Sequence, residues 1–528
     1  MPVTPTYPGV YVEEIPSGVR TITGVATSIT AFIGRALRGP TDEPILINNY
    51  GEYERIFGGL WNESTMSFAV RDFYNNGGSQ AVIVRLHNTG TEATLKAGKE
   101  DANPLELKAA NVGTWGNKLR ARVDTTFPKS ITDQGTHTAE QLFNLYIRDG
   151  ETEEVETFLK VSAKYGHPRQ VDKVLENQSN LVRYSGRITA DIPIPTQNND
   201  PLEGDLWSDA NSNKVEIANQ GQDGNPIEQE QFTGANKEAN KEGLYALENT
   251  DLFNLLCIPP YKDDDIDSTL IDAALGYCQK RRAMMIIDSP SGWDSKKKAK
   301  EGIDKGTADG GVGSPSTNGA VFFPRLMMPN PLKENQIEQF AACGAIAGVF
   351  ARTDASRGVW KAPAGLEAVL KGVTGLSVPL TDPENGELNP KGINCLRVMP
   401  PAGRIVWGSR TRVGDDMLAS EWKYIPVRRL ALYLEETLYR NTQWAVFEPN
   451  DEPLWSQLRL NIGAFMQNLF KQGAFQGSSP KDAYFVKCDK ETTTQYDIDR
   501  GIVNIMIGFA PLKPAEFVIL KFQQIAGQ

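Results

Sequence analysis

The sequence predicts a multi-domain protein of mixed class, in which an α/β unit is followed by an α+β unit. Between residues 244 and 412, strand-like segments alternate with helix-like segments, a pattern typical of a mostly parallel sheet with helices on both faces. Residues 413–528 instead contain two amphipathic helical patterns followed by strand-like runs. Residues 91–243 are polar and rich in Asn, Gln and Glu, which indicates a separate, outward-facing β-rich domain with long loops. With 528 residues, 40% of them hydrophobic, the chain is long enough for each unit to have a core.

The first predicted unit is an extended arm over residues 1–20. The β-forming residues Val10, Tyr11 and Val12 lie between prolines and Pro16-Ser17-Gly18, which predicts a short strand on a hinge without a hairpin partner beside it. Residues 21–90 are predicted to be the N-terminal part of an inner core. Its expected elements are a strand over 21–34, helices over 49–57 and 66–74, and a buried strand over 81–86.

The later elements follow from hydrophobic periodicity. The α/β unit has expected strands at 252–258, 283–288, 320–327 and 396–407, and expected helices at 268–281, 294–303 and 336–351. In the last unit, Pro426 suits the first turn of a helix carrying Leu430, Leu434 and Leu438 on one face. A second helix is expected from Asp451, with Pro453 in its first turn. Strands are expected at 484–488, 502–509 and 516–522.

The sequence lacks the motifs of common enzyme classes. Its histidines are His87, His137 and His167, so residues 244–412 contain no imidazole to serve as the base of a Ser-His-Asp triad. G-x-S-x-G, P-loop and H-E-x-x-H motifs are absent as well. The acidic run at 263–265 with Asp267 could hold a cation, but helix capping explains it better. We therefore expect no catalytic residue, cofactor or metal, and keep an α/β hydrolase-like or nucleotide-binding enzyme as the alternative.

Charge and cysteine content exclude further classes. The net charge is −11 and the pI about 5.1, so the clustered cations that bind nucleic acid are not expected. Five cysteines, without a C-x-x-C pair, indicate free thiols in a reducing compartment. No apolar stretch reaches the roughly 18 residues of a membrane span, and residues 1–14 lack the pattern of a signal peptide.

Several stretches together resemble the tail sheath family of contractile phage tails and contractile injection systems. They lie at 8–14, 24–28, 32–34, 68–78, 349–354, 357–365, 428–429, 444–450 and 510–517. Examples are Pro8-Gly9-Val10-Tyr11-Val12-Glu13-Glu14, Trp444-Ala445-Val446-Phe447-Glu448-Pro449-Asn450 and Ala510-Pro511-Leu512-Lys513-Pro514-Ala515-Glu516-Phe517. Their order and spread cover about two thirds of the chain, and residues 91–243 are not included.

The resemblance implies a structural subunit, not an enzyme, that stacks as hexameric rings into a helical polymer around an inner tube. It further implies that the α/β domain is subtilisin-like but non-catalytic. The implied partners are other copies of the chain, the tube protein, the baseplate and the tail terminator, without nucleic acid or membrane insertion. The implied location is a virion tail or tail-like particle, assembled in the bacterial cytoplasm.

Two sets of site residues follow. The terminal arms are expected to pair with sheets of neighbouring subunits, because strands need an edge for their N–H and C=O groups. The residues assigned to this pairing are Val10, Tyr11, Val12, Phe517, Val518, Ile519, Leu520 and Phe522. The alternative is that both strands join this chain's own sheet, as in a monomeric binding module. The helix over 453–470 and the loop after it are expected to face the tube, with Arg459 and Lys471 contacting an acidic tube surface.

Overall fold

The computed structural model describes residues 20–99, 104–125, 142–186, 193–196, 205–261 and 265–521. Its strands are β1 (Thr30–Gly34), β2 (Ile45–Ile47), β3 (Ala81–Arg85), β4 (Thr94–Ala97), β5 (Leu105–Ala109), β6 (Leu119–Asp124), β7 (Phe143–Asp149), β8 (Val155–Val161), β9 (Val182–Tyr184), β10 (Asn213–Lys214), β11 (Leu255–Cys257), β12 (Met284–Asp288), β13 (Gly319–Phe323), β14 (Leu326–Asn330), β15 (Gln336–Phe340), β16 (Gly375–Leu376), β17 (Ile393–Met399), β18 (Gly403–Val406), β19 (Tyr484–Lys487) and β20 (Met506–Phe509). Its α-helices are α1 (Tyr50–Phe57), α2 (Thr65–Asn75), α3 (Val171–Gln178), α4 (Gln229–Thr233), α5 (Lys237–Asn240), α6 (Ser268–Lys280), α7 (Lys296–Gly302), α8 (Cys343–Arg357), α9 (Asp382–Leu388), α10 (Ile425–Asn441), α11 (Glu452–Lys471), α12 (Pro480–Ala483) and α13 (Gln495–Asp499).

The largest sheet has eight strands in the order β18-β17-β13-β12-β11-β1-β3-β2. Its six inner strands run parallel, and β18 and β2 pair antiparallel at the two edges. β1, β2 and β3 come from residues 21–90, whereas the other five strands come from residues 244–412. The two units that the sequence separates therefore build one sheet.

Side chains of this sheet alternate between two buried cores on its opposite faces. Met284 and Ile286 of β12 lie in the core that contains residues of α1, α2 and α8. Met285 and Ile287 lie in the core that contains residues of α6 and α7. Because both faces are covered, the strands consist of continuous apolar runs, as parallel sheets usually do.

Local polar contacts determine where the covering helices begin. The side chain of Asn49 accepts a hydrogen bond from the N–H of Glu52 at 2.9 Å and caps α1. The buried carboxylate of Asp288, at the end of β12, accepts bonds from the N–H groups of Ala342 at 2.7 Å and Cys343 at 2.8 Å. Burial raises the pKa of Asp288, although these bonds oppose the shift. The end of a central strand thus holds the N-terminus of α8.

The region between β3 and β11 forms a unit with its own core. It contains a four-stranded sheet, β10-β6-β7-β8, and a three-stranded sheet, β4-β5-β9, which contribute to a third hydrophobic cluster. A buried ion pair joins this unit to the rest, since Arg38 Nη1 lies 2.8 Å from Asp149 Oδ2. Phe232 and Leu244, however, belong to a core of the eight-stranded sheet. The β-rich unit therefore ends before α4 and not at residue 243.

Two predicted elements of the α/β unit have a different structure. The predicted helix over 336–351 is a strand followed by a helix: β15 pairs antiparallel with β14, and α8 begins at Cys343. The predicted strand over 396–407 is an antiparallel pair, β17 and β18. In the first case the turn before β15 places Glu334 and Asn335 at positive φ, which reverses the chain where a helix would have to begin.

The C-terminal unit packs α10 and α11 against the two-stranded sheet of β19 and β20. Pro426 and Pro453 lie in the first turns of their helices, as predicted. Leu430, Leu434 and Leu438 are buried in a cluster that also takes Ile462 and Phe465 of α11. The four-residue spacing of the leucines therefore identifies the face of α10 that packs in this cluster.

Candidate functional site: terminal segments and C-terminal unit

The N-terminal segment from residue 20 packs across the two long helices, α10 and α11. The N–H of Arg20 donates to Asn461 Oδ1 of α11 at 2.9 Å, and its guanidinium lies 4.3 Å from the ring centroid of Trp444. Further along, the N–H of Val25 donates to Thr437 Oγ1 of α10 at 3.3 Å. These contacts fix the chain from residue 20 onward.

A buried ion pair holds the end of this segment. Arg429 of α10 donates to both carboxylate oxygens of Asp354 in α8, at 2.8 and 2.6 Å. The same two side chains bind Thr27, through its carbonyl at 2.8 Å and its hydroxyl at 2.7 Å. At Gly24 an added Cβ would lie 2.1 Å from the hydroxyl of Tyr433, so any other residue would have to displace that side chain.

The C-terminal segment is anchored by Glu516. Its carboxylate accepts two bonds from the fully buried guanidinium of Arg410, at 2.7 and 2.6 Å. Asn389 and the hydroxyl of Tyr424 donate to it at 3.0 and 3.2 Å. Burial would raise the pKa of Glu516, but the bonds from Arg410 and Asn389 outweigh it, and the pKa is lowered.

Immediately after this anchor, four large apolar side chains are exposed to solvent. Phe517, Val518, Ile519 and Leu520 are between 73% and 80% exposed and lie outside any strand. The predicted strand over 516–522 is therefore not formed with this chain's own sheets at residues 516–521. Phe522 and Val10, Tyr11 and Val12 lie outside the described residues.

The sheet of β19 and β20 has two strands, paired from Tyr484 opposite Phe509 to Lys487 opposite Met506. Within the described residues, no third strand joins it. Phe485 and Met506 are 46% and 55% exposed. The outer edges of this sheet carry N–H and C=O groups able to pair with an added strand.

The two residues predicted to contact a tube have different surroundings. Arg459 binds Glu452 at 2.6 Å and Ser456 at 2.8 Å, and also donates to the carbonyl of Cys488. Lys471 is exposed at the end of α11. At about 100° per residue the two side chains differ by about 120° around the helix. Lys471 instead shares a face with Leu460, which is 49% exposed.

The described residues contain no cluster of His, Cys, Asp or Glu suited to a metal ion. Asp265, part of the acidic run, accepts bonds from Ser291 and pairs with Arg325 at 3.1 Å. Among the described residues, no helix combines the length and apolar character that crossing a bilayer requires.

The chain matches known proteins in both sequence and fold. The family described as phage tail sheath protein central domain matches residues 233–412, and the phage tail sheath C-terminal domain matches residues 419–525, together more than half of the chain. A prophage major tail sheath protein of Pseudomonas aeruginosa (strain UCBPP-PA14) is 25% identical over 54% of this chain and 69% of its own length. The tail sheath protein of Vibrio phage KVP40 is 30% identical over 34% of this chain, but this covers only 26% of that protein.

The solved structures agree on the fold. The contracted sheath complex of an extracellular contractile injection system superposes with a TM-score of 0.58 at 22% identity, covering 99% of this chain and 98% of that one. The two sequence relatives are tail sheath proteins and the solved structure is the sheath of a contractile injection system, so none of them supports the enzyme alternative. The chain belongs to the tail sheath protein family of contractile phage tails and contractile injection systems.

Proposed function

We propose that this protein is the repeating subunit of a sheath that assembles around an inner tube and contracts to drive the tube through a target envelope. In this proposal, rings of subunits stack into a helical polymer, and the terminal segments of each copy pair with sheets of its neighbours. The tube, the baseplate and a tail terminator are the other partners. The particle is a phage tail or a tail-like injection system, assembled in the bacterial cytoplasm.

The observation that carries the proposal is the exposed run from Phe517 to Leu520. Four consecutive apolar side chains, each at least 73% exposed, are costly to keep in water. The bonds between Glu516 and Arg410 fix the point at which this run leaves the subunit. A partner strand would bury the side chains and satisfy the backbone at the same time.

The sheet of β19 and β20 is the proposed acceptor in a neighbouring copy. It has two strands, exposed side chains and open edges, and it lies in the same unit as the exposed run. Addition of one or two strands would satisfy the N–H and C=O groups along its open edges. The N-terminal arm with Val10, Tyr11 and Val12 is the second proposed addition.

The exposed face of α11 that ends at Lys471 is the proposed tube-facing surface. Arg459 remains part of this proposal, but its bonds to Glu452 and Ser456 favour a role in positioning the helix. The doubly covered parallel sheet is proposed to be subtilisin-like and non-catalytic, in agreement with the absence of histidine from residues 244–412.

Contraction needs no nucleotide in this scheme, because the extended lattice is metastable. If each subunit gains only about 400 Å² of apolar contact, about 10 kcal/mol is available before ordering and desolvation costs. Summed over many subunits, the remainder is enough to move a tube.

Two deletions test the pairing. Removing residues 517–528, or separately residues 1–18, should leave a soluble subunit with wild-type thermal stability that forms no long tubes in negative-stain micrographs. A finer comparison is Val518→Pro, which removes an N–H donor, against Val518→Thr, which keeps it. Normal tubes from both deletions would show that the segments do not hold the polymer together, and global unfolding would place them in the subunit's own core.

A further inference from the structure

The loop between α10 and α11 displays an aromatic side chain in a strained conformation. Phe447 is fully exposed, at 103%, and its backbone φ is +69°, a region that bulky residues rarely occupy. Val446 beside it is 62% exposed. A side chain so exposed adds nothing to the stability of its own subunit, and the backbone strain costs stability. Exposure and backbone strain together are typical of a residue that contacts a partner molecule.

A cavity of about 960 Å³ lies at the other end of α11. Aromatic side chains line it, namely Trp360, Trp407, Tyr424 and Phe517, together with Gln472 and Gly473, which directly follow the helix. At this volume the cavity is large enough to accept an aromatic side chain.

The charges of the loop and the cavity are complementary. The loop carries Glu448 and Asp451 and no cation. The charged residues that line the cavity are Arg357, Lys361, Asp382, Arg397, Lys513 and Glu516. Both of these carboxylates are already paired, Asp382 with Arg397 at 2.5 Å and Glu516 with Arg410. Arg357 is paired as well, with Glu367 at 2.9 Å, so Lys361 and Lys513 carry the positive charge that the cavity presents to an acidic loop.

We infer that Phe447 of one subunit inserts into this cavity of a second copy, with Glu448 next to Lys361 and Lys513. The inference rests on the proposed self-assembly and adds a specific side-chain contact to it, which differs from strand pairing although Lys513 and Phe517 of the C-terminal segment line the cavity. The two halves of the contact lie at opposite ends of α11, which is about 30 Å long at 1.5 Å per residue. A contact between two different surfaces of the same chain is head-to-tail, so it propagates into a ring or a helical polymer.

Two substitutions test the two sides of the proposed contact separately, one at Phe447 and one in the cavity. Phe447→Asn removes the aromatic ring, and asparagine tolerates positive φ, so the subunit should stay folded. Gly386→Trp fills the cavity: Gly386 lines it, and a Cβ there would meet no atom within 4 Å. Each change should raise the protein concentration needed for tube formation, followed by light scattering, by about tenfold or more.

The matched controls remove or add the same kind of group elsewhere. Tyr165→Asn deletes another exposed aromatic, which is 84% exposed, and Gly276→Trp adds a Trp to α6 at a position equally free of neighbours. Both should assemble like the wild type. If Phe447→Asn and Gly386→Trp also behave like the wild type in a preparation that forms tubes, the inference is wrong and the proposed function stands. A defect in Gly386→Trp alone would overturn it too, since the occupant would then be another segment.

A cross-link tests the contact directly. The five native cysteines are all buried, so a bifunctional maleimide should react first with introduced cysteines. Tubes assembled from a variant with both Phe447→Cys and Gly386→Cys should give a ladder of covalent oligomers, and each single variant should give none. Absence of the ladder from well-formed tubes would contradict the contact. If the wild-type protein forms no tubes at all, the proposed function fails before this question arises.

Discussion

Arg429 and Asp354 form a two-bond ion pair in which both side chains are only 4% exposed. The pair joins α10 of the C-terminal unit to α8 of the eight-stranded sheet, and it also binds Thr27 of the N-terminal segment. One interaction therefore holds together the three parts of the chain that meet at the terminal arm.

The first prediction concerns the loss of this pair. Asp354→Ala leaves the guanidinium of Arg429 buried without its carboxylate, so the free energy of unfolding should fall by about 3–5 kcal/mol. Chemical denaturation measures this change, and hydrogen exchange of residues 20–29 should become faster. The control is Glu367→Ala, which breaks the exposed pair with Arg357 on the same helix and should cost less than about 1 kcal/mol. Equal effects of the two substitutions would show that burial of the pair is unimportant.

A second prediction concerns the pH dependence of stability. Asp72 of α2 is buried, with one carboxylate oxygen lacking a partner among the described residues. Burial raises its pKa from 3.8 to about 6, against the attraction of Arg71. The folded state therefore binds the carboxyl proton of Asp72 more tightly than the unfolded state does. The stabilisation that comes from binding this proton is lost as pH rises from about 4 to about 6.

The substitution Asp72→Asn should remove this loss of stability at higher pH. At pH 7.5 the variant should be more stable than the wild type, by about 1–3 kcal/mol, whereas at pH 4 the difference should be small. Denaturation midpoints at several pH values measure the gain. A gain that does not change with pH would point to altered packing instead of charge.

A third prediction separates the two proposed tube contacts. Lys471→Glu changes an exposed side chain, so it should weaken co-sedimentation with the tube protein while leaving the subunit's melting temperature unchanged. A single exposed ion pair is worth about 0–1 kcal/mol, and the effect becomes measurable because the contact repeats along the sheath. Arg459→Glu should also lower the melting temperature, because it places a second carboxylate beside Glu452. Unchanged tube binding by Lys471→Glu would assign the contact to another face.

Asp354 and Arg429 show which structural features the sequence does not predict. Residues 349–354 and Arg428-Arg429 both carry the family resemblance, but nothing in the sequence indicates that Asp354 and Arg429 meet, because a tertiary contact leaves no local pattern. The helices α10 and α11 were predictable, since proline in the first turn and a repeated apolar face are local signals.

The errors in the predicted elements also have a local cause in the sequence. The segment Gln336–Phe340 is short and half polar, and such a segment fits a strand or a helix, so the neighbouring apolar run extended the predicted helix backwards. Likewise, polarity placed the end of the β-rich unit at residue 243, although Phe232 packs in the core of the main sheet. The exposure of Phe447 was not predictable at all, since an aromatic residue in a sequence usually indicates a core position.

The last prediction concerns how contraction passes from one subunit to the next. The described contacts of the N-terminal segment begin at Arg20, which bonds to Asn461 and stacks on Trp444. Residues before this point are the proposed link to a neighbouring copy through Val10, Tyr11 and Val12. An insertion next to Gly18 therefore lengthens the link without changing the anchor or the strand.

Two or three flexible residues inserted there should permit assembly but impair contraction. The extended lattice needs the strand, which is intact, whereas transmission needs a taut link. Each added residue supplies up to about 3.4 Å, so three supply about 10 Å of slack, comparable to a subunit displacement. The matched control places the same three residues at 151–153, in the exposed turn between β7 and β8 of the β-rich unit. Particles triggered with mild denaturant are then counted as extended or contracted by electron microscopy. If the insertion at Gly18 contracts as completely as the control, the arms tether the lattice and do not transmit its change.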